Sequence, residues 1–241
     1  MQTTKTSEDQ VALSNERIVQ PFSRRKFLGY VGASSALLVT ASSCDKDDDN
    51  NNNTDTGVDL GSGDVGILNY AYALEQLEAA FYTQVVANAG FTSIFNSTEQ
   101  SFMIDIRDHE IAHREFFKAA ITAAAPSSII PGLEVDFSSI NFGSKASVLG
   151  TAMAFEDLGV SAYDGAGYLL KNATYLLLAG KIVSVEARHA ALIRELVTIN
   201  SFLGDQVDND SVNISRTPTE VLTIAAPFIK TKINASNLPT G

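Results

Sequence analysis

Between Asp64 and Thr198 the chain holds four long stretches with a helical period, and each carries carboxylates on the stripe that should face a core. The first sets Leu68, Ala71, Glu75, Glu78 and Tyr82 on one seam. The third sets Leu149, Ala152, Glu156, Gly159 and Tyr163 at the same steps, 81 residues later. The second gives Ile106, Glu110, His113, Phe117 and Ala120, and the fourth answers it 76 residues on with Ile182, Glu186, His189, Ile193 and Leu196. A helix pair is repeated, and its polar seam is repeated with it.

The boundaries follow from local signals. The first stretch runs roughly from Asp64 to Ala89 and stops at Asn88-Ala89-Gly90. The second opens on Ser97-Thr98-Glu99-Gln100, a capping box, and runs to Ala125 before Pro126. The third begins after Ser144 and continues to about Leu170, and the fourth spans about Ala173 to Thr198. "PSSIIPGLEVDFSSINFGS" joins the second to the third and is long enough to cross a bundle end, while the other links are short. Short, long, short predicts an all-α up-down four-helix bundle with one crossover. Thr217-Pro218-Thr219-Glu220 predicts a short last helix, with proline at its first position. Residues 64–241 are therefore read as one domain, large enough for a core.

A buried, unpaired carboxylate costs several kcal/mol, and four of them would exceed a typical total stability of about 5–15 kcal/mol. No Lys or Arg lies between Asp64 and Asn96, or between Ala146 and Leu170, so Glu75 and Glu156 lack a counter-charge on their own helices. Two divalent metal ions would balance Glu75, Glu110, Glu156 and Glu186, with His113 and His189 completing the set. Glu and His at i and i+3 rise about 4.5 Å on nearly the same face, so both can meet one ion. Carboxylate and imidazole donors suit iron or manganese without choosing between them. The competing reading pairs the polar seam with Arg107, Arg114, Arg188 and Arg194, whose spacing places them on half-exposed flanks.

Other polar positions are less determined. Glu78 falls where Gly159 lies in the repeat, and is either an extra ligand or proton shuttle, or a carboxylate that reaches solvent or an arginine. His109 lies about 100° round the helix from Glu110, at the surface or in the outer shell of the site. Tyr82 and Tyr163 lie two turns along the seam from Glu75 and Glu156, as core residues, or with a redox role or as extra ligands or outer partners of the site. Phe81, Phe116, Phe117 and Phe155 are assigned to packing.

Glu, Glu-x-x-His, Glu, Glu-x-x-His on four helices resembles the ferritin-like di-metal carboxylate superfamily. Within it, "NYAYALEQLEAAFY" and "AFEDLGVSAYDGA" resemble the bacterial ferritin-like domain proteins related to desiccation-related proteins. The resemblance covers roughly Val65 to Thr198. It implies a ferritin-like bundle with two iron or manganese ions at the six residues named above. Many members carry Asp just before the second Glu; here His109 and Val185 stand there. The groups that orient the histidines are thus open, with Asp105, Asp157 and Asp164 as candidates.

Ahead of the domain, residues 1–43 are read as an export signal. Arg24-Arg25-Lys26-Phe27-Leu28-Gly29 resembles a twin-arginine signal, and the apolar run Tyr30 to Val39 is too short to span a bilayer. "TASSC" ends on Cys44, the single cysteine, and resembles a lipoprotein processing box with Ala41 where Leu is usual. Lipidated Cys44 would anchor the protein to a membrane in the cell envelope, periplasmic or surface-exposed. Residues 44–63, acidic and Asn-rich, are read as a solvated tether.

The net charge of −11, with no basic patch in the folded part, argues against a nucleic-acid partner. The leading expectation is an exported di-metal oxidoreductase acting on O₂, peroxide, ferrous iron or a small organic molecule. The alternative is a non-enzymatic envelope lipoprotein, stress-protective or partner-binding, with a structural or lost metal site. A homo-oligomer is compatible with the pattern, whereas a lipid anchor on every subunit sits poorly with a closed storage shell.

Overall fold

The computed structural model describes residues 57–240. The predicted export signal, Cys44 and the acidic stretch up to Thr56 lie outside the described residues. Four long helices form where the apolar period places them: α1 (Gly63–Ala87), α3 (Ser97–Ala124), α4 (Lys145–Gly167) and α5 (Ala173–Val197). One-turn α2 (Phe91–Ile94) lies between the first two, and α6 (Pro218–Ala225) follows the bundle. The fold is the expected all-α four-helix bundle with a long crossover between α3 and α4 and a short C-terminal helix.

Helix starts are set by side chains that satisfy free backbone N–H groups. Asn96 accepts from Glu99 N, and the Glu99 carboxylate accepts from Asn96 N, both at 3.0 Å. The capping box therefore begins one residue before the predicted Ser97, because Asn96 is the residue with the extended backbone of a cap. Thr217 and Glu220 form the predicted box at α6, with Pro218 in the first turn. Asp64, at the start of α1, accepts from the backbone N–H groups of Lys171 and Asn172, each at 2.8 Å. That contact ties the start of α5 to the start of α1.

Helix α1 packs along α3, α4 packs along α5, and α1 meets α4. The repeated pairs are thus the two halves of the bundle. The crossover is fastened to α1 by polar and aromatic contacts. Fully buried Asn69 donates to Leu60 O and Ser128 O and accepts from Ile130 N, which meets the need of a buried amide for partners. Gln76 accepts from Leu133 N at 2.8 Å. Phe81 packs against Phe155 and against Phe137 and Phe142 of the crossover, so the packing role expected of Phe81 and Phe155 is realised.

Residues 58–60, expected to lie in the acidic tether of residues 44–63, are instead part of the fold. Strand β1 (Val58–Asp59) pairs in parallel with β2 (Ile233–Asn234), and Leu60 is fully buried. Val58 and Leu60 flank an outward Asp59, so a short strand with a period of two hides at the end of the acidic stretch. Among the described residues no helix is long and apolar enough to cross a bilayer.

Candidate metal centre

The seams of all four long helices converge in the bundle interior. Glu75 on α1, Glu110 on α3, Glu156 on α4 and Glu186 on α5 are each 1 % exposed or less, and His189 is buried beside them. His113 is half-buried. All six residues expected to form the site come together, in two overlapping sets. Glu75, Glu110, His113 and Glu186 form one; Glu110, Glu156, Glu186 and His189 form the other. Within each set the donor atoms lie within 4.8 Å of one another.

The distances assign a role to each carboxylate. His113 Nδ1 lies 3.6 Å from Glu75 Oε2, 3.6 Å from Glu110 Oε2 and 2.7 Å from Glu186 Oε1. His189 Nδ1 lies 2.9 Å from Glu110 Oε1, 3.5 Å from Glu156 Oε2 and 3.8 Å from Glu186 Oε2. Glu110 and Glu186 therefore turn one oxygen to each set, whereas Glu75 and Glu156 serve one set each.

A ring N–H points in one direction and serves one acceptor well, but here three oxygens gather around each Nδ1. None of these contacts has hydrogen-bond geometry. Eight buried atoms of the cluster, six carboxylate oxygens and the two Nδ1 nitrogens, have no partner. Leaving a buried polar atom unmatched costs about 1–3 kcal/mol, more when charged, and a cation at the centre of each set would satisfy several at once. Oxygen and imidazole donors of this kind fit a pair of divalent ions.

The arginines of the competing reading point elsewhere. Arg107 pairs with Asp108, Arg114 with Glu115, and Arg188 donates to Ser184. Arg194 is buried rather than half-exposed, and holds Asp157 through two N–H groups and Asp205 through one. The charge pairing with Asp157 on the neighbouring α4 draws the guanidinium inward and offsets the cost of burying it.

Burial and neighbouring charge set where the protons of the cluster sit. Burial pushes Glu75 and Glu156 up from the ordinary carboxylate range and Glu110 up to about 8. Burial acts against charge on Glu186 too, but the two imidazoles beside it hold it down at about 2. Burial opposes charge on His113 and His189 as well, yet the surrounding carboxylates raise both far above an ordinary histidine.

The tyrosines, expected as core residues or in a redox or outer-partner role, reach across the bundle to the site carboxylates. Tyr82 on α1 donates to Glu156 on α4, and Tyr163 on α4 donates to Glu75 on α1. Helical arithmetic on one strand of sequence sees only same-helix neighbours, so this crossed pairing was not legible. Burial, then the nearby carboxylates, push both phenols up, so each keeps the proton it donates.

Glu78 is buried, not directed to solvent or an arginine. A Cβ on Gly159 would lie 3.0 Å from Glu78 Oε1, so the glycine leaves the space that this fifth carboxyl occupies. Glu78 belongs to neither donor set.

His109 lies at the rim, with Nδ1 2.9 Å from His189 Nε2. Of the candidate orienting carboxylates, Asp157 is taken by Arg194 and Asp164 accepts from Asn213. The charge of Asp105 acts on His109. The partner of His189 is thus an imidazole, at the position where many members of the resembled family carry Asp.

A family model described as a ferritin-like domain matches residues 63–198, from the first residue of α1 to the cap that ends α5. No curated protein matches the chain.

Proposed function

The chain belongs to the ferritin-like domain family, and from that premise we propose that it is an exported protein that holds a di-iron or di-manganese centre and uses it for redox chemistry. The observation that carries this reading is the set of eight unpartnered buried donor atoms at the meeting of four helices. Iron or manganese bound there would exchange electrons with dioxygen, peroxide or ferrous iron. Glu110 and Glu186 would hold both ions, Glu75 and His113 one, Glu156 and His189 the other. Tyr82 and Tyr163 keep Glu156 and Glu75 turned inward. Burial keeps bulk water out and favours small oxidants or ions over larger organic substrates.

Arg24-Arg25 and the run after them support export, and Cys44 supports a lipid anchor in the cell envelope. In a bacterial host with a twin-arginine route, the full chain should fractionate with membranes, and Cys44→Ala should release it.

Purification without chelator tests the central reading. About two equivalents of iron plus manganese per chain are expected, one for each donor set, together with peroxide consumption or oxygen-dependent ferrous oxidation. Glu110→Ala and Glu186→Ala should lower metal content and turnover together, by about tenfold or more. Less than about half an equivalent of metal, with melting unmoved by chelator, would leave only a non-enzymatic role.

A further inference from the structure

The repeat makes the two donor sets near-copies, yet the chain departs from symmetry beside one histidine only. His109 precedes Glu110, and at the matching position before Glu186 stands Val185, which has no polar side-chain atom. His109 Nδ1 lies 2.9 Å from His189 Nε2, with the ring planes 11° apart and the centroids separated by 5.1 Å. A 2.9 Å contact plus one ring radius at each end accounts for that whole separation. The rings therefore meet edge to edge in nearly one plane, as a directed N–H···N bond requires, rather than face to face.

We propose that His109 is a positioning residue for His189 and makes the two metal positions unequal, so that the Glu110–Glu156–Glu186–His189 position binds its ion more tightly. The proposal rests on the reading that the cluster holds metal. His189 turns Nδ1 toward three carboxylates, so its ring hydrogen sits on Nε2 whenever Nδ1 gives its lone pair to an ion. His109 Nδ1 then accepts that hydrogen and carries its own on Nε2. One bond thus fixes the tautomer and the swing of the buried ring, the service that a carboxylate commonly gives a ligand histidine. An outer partner of this kind is worth about 10–100-fold in metal affinity. His113 gains no such bond from Val185, and its side chain is also the more open, 13 % exposed against 5 % for His189.

Cobalt(II) titration of the metal-free full chain, followed by visible absorption against a competing chelator, tests this. The natural protein should load in two resolvable steps. His109→Ala should weaken the tighter step about 10–100-fold, bringing it toward the other, while leaving the weaker step within about threefold. His109→Asn, whose amide oxygen can accept from Nε2–H, should recover part of the loss. In the cobalt-loaded protein one shifted, exchangeable imidazole N–H should exchange slowly with water, and quickly after His109→Ala. A general loss of structure would move both steps and the melting point of the metal-free protein together. Two equal steps in the natural protein, or a change in both or neither step in His109→Ala, would overturn the inference and leave the metal reading standing. Failure to bind cobalt at all would overturn both.

Discussion

Tyr82 on α1 donates its hydroxyl to Glu156 Oε1 on α4 at 2.5 Å, and both residues are fully buried. The bond spans the two halves of the repeat, so it couples the bundle interface to the site: the carboxylate whose Oε2 faces His189 is held at Oε1 by a phenol from the opposite half. Tyr82→Phe keeps the ring and its packing but strands one carboxylate oxygen. Removing one partner of a buried group costs about 1–3 kcal/mol. Denaturant unfolding should therefore show a loss of that size, and the loss should be larger with metal bound, because Glu156 must then be ionised. Equal stability of Tyr82→Phe and the natural protein in both states would show the hydroxyl to be a bystander.

The metal-free protein should lose stability as pH rises across neutrality. Glu110 holds its proton to about 8 in the fold, whereas an unfolded carboxyl releases it near the ordinary value. His113 and His189 are likewise raised. Above the ordinary carboxylate range the folded state thus binds more protons than the unfolded state, so stability falls as pH rises: the Glu110 share is lost up to about 8, and the share of the two imidazoles goes on being lost above that. Glu186, held at about 2, contributes the opposite slope, but only in acid below the ordinary carboxylate range. Metal loading displaces these protons, so affinity should increase with pH. Melting of chelated protein at about pH 5.5, 7 and 8.5 should show a falling midpoint, and Glu110→Gln should flatten it. A midpoint that rises with pH in chelated natural protein would contradict the assignment.

Glu78 is pushed well above the carboxylate range by burial first, and then by Glu110, Glu186, Glu156 and Glu75. That direction favours the neutral carboxyl in the metal-free protein, and Glu78→Gln, close in shape, should change metal-free stability by less than about 1 kcal/mol. Glu110→Gln should behave differently, because Glu110 faces both imidazoles. If Glu78 ionises as the centre fills, Glu78→Gln should release one proton fewer on loading. Calorimetry in two buffers of different ionisation enthalpy measures that count directly.

What the sequence could show was set by the range of each interaction. Four helices and the six-residue cluster were legible because the 3.6-residue period and the repeat place Glu75, Glu110, Glu156 and Glu186 on seams without knowledge of neighbours. The crossed Tyr82–Glu156 and Tyr163–Glu75 bonds depend on how α1 and α4 meet, which no single-helix pattern encodes. Asn69 and Gln76 look like ordinary polar residues of a helix until the crossover lies against them. The His109–His189 bond was hinted at by an imidazole where Asp was expected. Its target, 80 residues away in the chain, was not.

Gly165 sits where the C-terminal segment is held on the bundle. A Cβ there would come within 1.8 Å of Arg216 O, which is backbone and cannot swing aside. Arg216 N also donates to Ser161 O at 3.0 Å, so the segment lies directly along α4 and delivers Thr217 to cap α6. Alanine in an open helix position would gain about 1 kcal/mol over glycine. Here the gain is outweighed, because relieving the overlap means breaking the Arg216–Ser161 bond and lifting α6, whose Val221 and Ala225 are fully buried. Gly165→Ala should lower stability by about 1–3 kcal/mol and expose the chain near Arg216 to limited proteolysis. Gly150→Ala, on the same helix with nothing within 4 Å of the added methyl, is the control, and should be neutral or slightly stabilising. Equal stability of the two variants would mean that the C-terminal segment does not rest on α4 in solution.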